Sequence, residues 1–181
     1  MHLLITCIGR QVQLTEYFQA ALQGNNRLFV SDCSESAPGL RIADNPLLSP
    51  RFTSQEYSEW LFKTCSEYAI DWIMTLSVDD LLILSQLKDK VPEWTRLVCP
   101  PEHSLQIGVD KLKTTRFCEQ VGIMAPRTIA VKDFLEPGSL EFPVIAKQVK
   151  GKGSQGIKIF RNLRELESGI DNPELSQSDY I

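Results

Sequence analysis

The sequence predicts an open α/β fold over its first hundred residues, followed by a shorter α+β segment of different character. Three observations carry the prediction. Short apolar runs alternate with stretches of helical period, the pair Pro100-Pro101 interrupts that alternation, and the sign of the charge reverses soon afterwards. Strands separated by helices imply right-handed crossovers and a parallel sheet covered on both faces.

The elements follow in order. His2 to Ile8 is a run of Leu, Ile and Thr with the pattern of a buried strand. Leu14, Tyr17, Phe18, Ala21 and Leu22 recur at helical spacing, and Gly24 stops that helix. Leu28-Phe29-Val30 reads as a second strand ending at Asp32. Thr53-Ser54-Gln55-Glu56 has the form of a capping box, opening a helix that buries Tyr57, Trp60, Leu61 and Cys65. Trp72 to Leu76 is a third strand, followed by a helix from Asp79 to Leu87, and Leu97-Val98-Cys99 is a fourth. Together they predict a Rossmann-like open parallel sheet over residues 1–108, a common domain size.

Residues 109–181 form the second predicted domain. Asp110 to Val121 reads as a helix ended by Gly122, and Pro126 to Val131 as extended chain. Phe142 to Val149 is a strand, Gly151 to Gly156 a glycine-rich loop, and Ile157 to Phe160 a returning strand. Asn162 and Glu165 cap a final helix, and Asp171-Asn172-Pro173 breaks the chain.

Composition narrows the function. Apolar residues are 43% and charged residues 23% of a chain with net charge −4, ordinary values for a globular protein. Apolar runs such as Leu81 to Leu84 are far shorter than the ~20 residues of a membrane span, and no secretory signal is visible. Five scattered cysteines without a C-x-x-C pair read as reduced thiols of a cytoplasmic protein. The net charge averages unlike parts: residues 1–109 carry 8 basic and 13 acidic groups, residues 110–161 carry 10 and 5, and residues 162–181 carry 1 and 5. A cationic block inside an acidic protein suits a local anion site, or a solvated face, rather than a nucleic-acid coat.

Gly151-Lys152-Gly153-Ser154-Gln155-Gly156 matches G-x-G-x-x-G. A dinucleotide fingerprint needs a helix after the last glycine, whereas Ile157-Lys158-Ile159-Phe160 alternates like a strand. The loop is not a Walker A motif either, because Ile157 stands where the lysine belongs. A hairpin with a glycine flap remains. Its amides can approach phosphate oxygens closely, because no Cβ intervenes. Lys147 precedes the flap on its strand, and Lys147 to Arg161 holds five basic residues and no acidic one. His2 and His103 lack zinc-ligand spacing, and no G-x-S-x-G elbow is present. Tyr57, Trp60 and Phe62 read as helix packing, and the cysteines as small buried hydrophobes.

Phe142-Pro143-Val144-Ile145-Ala146-Lys147, the glycine loop and Ile157 resemble the nucleotide-binding core of the ATP-grasp superfamily. Asp110-Lys111, Gly122-Ile123 and Pro126-Arg127-Thr128 resemble the segment before that core. The first hundred residues are similar to the preceding pre-ATP-grasp domain of the carbamoyl-phosphate synthase large-subunit-like branch, with Ile8-Gly9-Arg10 and Asp32-Cys33-Ser34 as its strand-end turns. The resemblance implies that Lys111 and Lys147 hold ATP phosphates beneath a flap of Gly151, Gly153, Ser154, Gln155 and Gly156. It implies an ATP-dependent ligase that activates a small-molecule carboxylate as an acylphosphate for attack by an amine or ammonia. Gly9, Arg10, Asp32, Asp79 and Asp80 lie at carboxyl ends of predicted strands, where open α/β sheets bind ligands; turn formation and helix capping explain the aspartates equally well. Asp179-Tyr180-Ile181 looks like the strand leading to the adenine hinge, with the Mg²⁺ ligands expected beyond residue 181. The chain therefore reads as the N-terminal part of a ligase, inactive by itself. Two other readings stay open: a nucleotide-binding or regulatory module without chemistry, and a dinucleotide-binding redox protein. Against the latter, Gly9 stands alone where three glycines are required.

Overall fold

Period-two alternation in the apolar runs becomes a two-faced sheet. In the computed structural model, which describes residues 1–131, 141–151, 156–170 and 180–181, β1 (His2–Thr6), β2 (Arg27–Asp32), β3 (Pro46–Leu48), β4 (Trp72–Thr75) and β5 (Arg96–Leu97) form one sheet in the order β3-β2-β1-β4-β5. Every pairing is parallel, with Leu3 opposite Leu28 and Leu4 opposite Ile73. Successive side chains of a strand point to opposite faces. Leu4, Phe29 and Ile73 accordingly pack on one face with Leu61 and Cys65 of α3 (Tyr57–Glu67) and Leu84 of α4 (Val78–Leu87). Leu3, Ile5, Leu28 and Val30 pack on the other with Phe18 of α1 (Val12–Ala21) and Leu40 of α2 (Pro38–Arg41). Leu4, Ile5, Leu61 and Ile73 are 0% exposed, and each such side chain contributes roughly 1.5–3 kcal/mol by leaving water.

Local signals are obeyed unevenly. The Thr53–Glu56 capping box does not form: these residues make turns, with Ser54 N donating to Arg51 O, and α3 starts at Tyr57 after Glu56 without a side-chain cap. The same signature at Asn162 does form. Glu165 N donates to Asn162 Oδ1 at 3.0 Å, and Glu165 Oε2 accepts Arg161 N at 2.8 Å. The short α2 and β3 had no periodic pattern to reveal them.

The chain divides into two compact units, Met1–Pro101 and Glu102–Ile181. The division precedes a helix, α5 (Glu102–Gly108), that the sequence did not signal and that stands with the second unit. There α6 (Lys111–Gln120) opens on Asp110, whose Oδ1 accepts Lys113 N at 3.0 Å. Residues 123–130 are irregular rather than paired. The expected long strand pairs over β6 (Val144–Ala146), antiparallel to β7 (Lys158–Phe160), and continues through Lys147 and Gln148, which pair with Ile181 and Tyr180; α7 (Leu163–Ile170) follows β7. Ala146, Phe160, Leu166 and Tyr180 form this unit's core. No helix among the described residues is long and apolar enough to cross a membrane.

Candidate functional site

The carboxyl edge of the parallel sheet gathers polar groups around the end of β1. Gly9 N donates to Asp32 Oδ2 at 2.9 Å, and Ser34 N donates to Asp32 Oδ1 at 3.0 Å. Asp32 thus ties the turn after β1 to the turn after β2. Gly39 N donates to Gly9 O at 2.9 Å. A Cβ on Gly39 would lie 2.6 Å from Ile8 Cγ1 and 3.2 Å from Gly9 O, so only glycine lets α2 approach this closely. Arg10 is exposed beside the turn.

The two adjacent aspartates separate. Asp79 is exposed on the first turn of α4, whereas Asp80 is 0% exposed. Asp80 Oδ2 accepts Thr6 Oγ1 at 2.6 Å, Thr75 Oγ1 at 2.7 Å and Cys7 Sγ at 3.6 Å. Ser77 caps α4 by accepting Asp80 N at 3.4 Å. Cys7 adopts φ 55°, unusual for a side-chain-bearing residue, and this places its thiol by the carboxylate. Burial first, and then the Asp80 charge, push the Cys7 thiol up to about 12. The same two causes, in the same order, raise the Tyr57 phenol. Tyr57 is 2% exposed, and its hydroxyl lies against the Asp80 carboxylate, whose hydrogen bond with the phenol adds to the rise. Tyr57, Thr6, Cys7, Asp32, Ser49 and Ser77 line a cavity of about 200 Å³ here. Sequence reasoning gave Tyr57 only a packing role. The signal that pairs Ser77 with Asp80 was legible as Ser-x-x-Asp after a strand.

In the second unit, Lys111 opens α6 and its ammonium donates to Gly151 O at 2.9 Å, with Val149 O at 3.5 Å. Lys111 N also donates to Val149 O at 3.1 Å. The helix start is thereby fastened to the entrance of the glycine loop. Lys147 follows β6 and exchanges backbone hydrogen bonds with Ile181, 2.9 Å each way. With Arg127, Val144, Ile145, Leu166 and Ile181, Lys147 lines a cleft of about 650 Å³ whose walls are mainly aliphatic. Gly156 has φ +69°, and a Cβ there would fall under 3.0 Å from the Tyr180 hydroxyl. Gly153, Ser154 and Gln155 lie outside the described residues. Among the described residues, no three His, Cys, Asp or Glu side chains gather as metal ligands.

The family described as PylC-like, N-terminal domain, matches residues 3–95, just over half the chain. A carbamoyl-phosphate synthase of Methanobrevibacter smithii is 24% identical over 144 residues, covering 76% of this chain and 38% of that protein. Among solved structures, N5-carboxyaminoimidazole synthetase of Staphylococcus aureus, complexed with ADP, superposes with a TM-score of 0.69 at 18% identity, over 99% of this chain and 46% of that one. The biotin carboxylase domain of the 2-oxoglutarate carboxylase of Hydrogenobacter thermophilus, solved with MgADP and bicarbonate, gives a TM-score of 0.69 at 14% identity, over 98% and 43%. The chain thus spans less than half the length of these relatives, and shares with them the fold of ATP-grasp ligases: a five-stranded parallel sheet followed by the hairpin unit. By its matched sequence, the chain belongs to the PylC-like family, through that family's N-terminal domain.

Proposed function

We propose that the chain supplies the N-terminal part of an ATP-dependent ligase that joins a small-molecule carboxylate to an amine or ammonia. The observation that carries this reading is Lys147 lining an aliphatic cleft beside a glycine loop whose entrance is fastened to Lys111. An aliphatic wall suits a purine face, and lysine ammoniums suit phosphate oxygens, since charge-assisted hydrogen bonds are roughly twice as strong as neutral ones. Gly151 and Gly156 bracket the proposed flap in sequence; Gly153, Ser154 and Gln155, assigned to it by resemblance, lie outside the described residues. In the reaction, a carboxylate oxygen attacks the γ-phosphorus and ADP leaves; the amine then attacks the acyl carbon and phosphate leaves. This chain's share is to position phosphates and neutralise charge. Among the described residues, no cluster of His, Cys, Asp or Glu offers a site for the Mg²⁺ of the proposed reaction. At the first unit's carboxyl edge, Gly9, Arg10, Asp32 and Asp79 are assigned to the acceptor substrate. Five free cysteines suit a cytoplasmic setting.

Calorimetry of the full-length protein with ATP and Mg²⁺ tests the reading. Lys147→Ala is expected to weaken ATP at least about tenfold, the scale of one charged hydrogen bond. Unchanged affinity in that variant overturns the assignment. ATP binding without ADP release on any carboxylate favours a regulatory module instead.

A further inference from the structure

We infer that Gln148 and Tyr180 are positioning residues for the phosphate end of the nucleotide, bracing Gly151 and Gly156 at a fixed separation next to Lys147. The inference rests on the proposed nucleotide role of Lys147 and the glycine loop. It goes beyond that role, because neither side chain is among those the resemblance assigns to ATP.

Gln148 and Tyr180 face each other across an antiparallel bridge. Directly opposed residues of antiparallel chains carry their side chains on one face, with Cβ atoms about 4.5–5.5 Å apart. From that shared face both side chains reach the glycines. A Cβ on Gly151 would lie 2.8 Å from Gln148 Oε1 and 3.2 Å from Gln148 Cβ, so Gln148 occupies the space that a side chain at 151 would fill. A Cβ on Gly156 would collide with the Tyr180 hydroxyl and lie 3.9 Å from the Gln148 carboxamide carbon. The Gln148 side chain therefore reaches both glycines, and the phenol sets a second stop at Gly156.

The stops are anchored in the fold. Tyr180 is 7% exposed, packs with Ala146, Phe160 and Leu166, and accepts Val131 N through its carbonyl at 2.9 Å. The Lys111 ammonium donates to Gly151 O at 2.9 Å, holding the same glycine by its carbonyl. Alternation along the strand sets Gln148 on the face of Ala146 and Lys147 on the face of Ile145. Gln148 and Tyr180 thus act through the glycines, whereas Lys147 meets the phosphates directly. Backbone dipoles stabilise charge best when they are held in place beforehand, and a misplacement of about 1 Å can cost a hundredfold.

The test is calorimetry of the full-length protein with AMP and with ATP, each with Mg²⁺. Gln148→Ala is expected to weaken ATP about tenfold and AMP less than about twofold, because only ATP extends to the loop. Tyr180→Phe keeps the packed ring and is expected to weaken ATP about threefold to tenfold, the scale of one polar contact, again sparing AMP. Gln148→Met keeps the length of the side chain and is expected to restore ATP to within about threefold of the parent. Equal weakening of AMP and ATP, or a Gln148→Met variant as weak as Gln148→Ala, overturns the inference. Full ATP affinity in Gln148→Ala and Tyr180→Phe, with Lys147→Ala weakened, overturns it and leaves the nucleotide reading standing. Unchanged affinity in Lys147→Ala, or no ATP binding by the parent, overturns that reading and this inference with it.

Discussion

Replacing Asp80 by alanine isolates the most heavily used buried group of the first unit. The carboxylate accepts Thr6 and Thr75 hydroxyls at 2.6 and 2.7 Å, both short, and is 0% exposed. Hydrogen bonds to a charged group are worth about 1.5–3 kcal/mol each. Their loss leaves two hydroxyls without their acceptor, and Thr6, at 1% exposure, has only a long 3.5 Å contact to Met74 O in reserve. Relief from burying a charge offsets part of this. The net expectation is a loss of about 3 kcal/mol, a large share of the 5–15 kcal/mol that holds a typical domain together. All three tryptophans, Trp60, Trp72 and Trp94, lie in this unit, so their fluorescence reports its unfolding selectively. With a urea slope of about 1–1.5 kcal/mol/M, the midpoint should fall by roughly 2–3 M. A cycle with Thr75→Val should show coupling of about 1–2 kcal/mol, because the two side chains share one bond. An alanine variant within about 0.5 kcal/mol of the parent, or a strictly additive cycle, refutes the reasoning, since either outcome lies below the scale of one buried bond.

Two further outcomes follow from the same edge. Gly39→Ala brings a methyl to 2.6 Å from Ile8 Cγ1; overpacking of about 1–3 kcal/mol, less the 0.4–1 kcal/mol gained by stiffening the unfolded chain, should lower urea stability by about 1–2 kcal/mol, and a stabilised variant refutes the close approach. Burial holds the Cys7 and Cys65 thiols at about 12 and about 11, above the ordinary 9.0. Because the folded values are raised, their contribution to stability is whole below pH 9 and disappears as pH climbs through 11 to 12. The urea midpoint should decline over that window, and iodoacetamide at pH 8 should modify exposed Cys33 well before Cys7 and Cys65, as read by mass spectrometry. Equal labelling of Cys7 and Cys33 contradicts the burial argument.

The sheet was legible because buried parallel strands leave short apolar runs, and Leu3 to Ile5, Leu28 to Val30 and Ile73 carry that mark. What periodicity missed is where tertiary packing inverts it. On α4, Val78 is 49% exposed while Asp80 is wholly buried, the reverse of an amphipathic helix, because the hydroxyls that receive Asp80 sit on β1 and β4. That distinction between Asp79 and Asp80 depends on partners more than seventy residues away for Thr6. The capping signatures at Thr53 and Asn162 look alike in sequence, yet only the second formed, because tight turns occupy residues 51–56. Lys111 and Lys147 were legible as types in order; that the Lys111 ammonium would fasten the loop entrance through Gly151 O was not, since a carbonyl has no sequence signature.

The paired backbone bonds between Lys147 and Ile181 make one amide a gauge. β6 has β7 on one side; its continuation at Lys147 and Gln148 is paired by Tyr180 and Ile181, and Tyr180 O also holds Val131 N. The Lys147 N–H is therefore sheltered from solvent exchange only while Tyr180 and Ile181, from far along the chain, are docked beside it. Hydrogen exchange at that single position reads how often this rim of the cleft opens, separately from global unfolding. A ligand that fills the cleft should slow exchange there before it changes the melting of the protein.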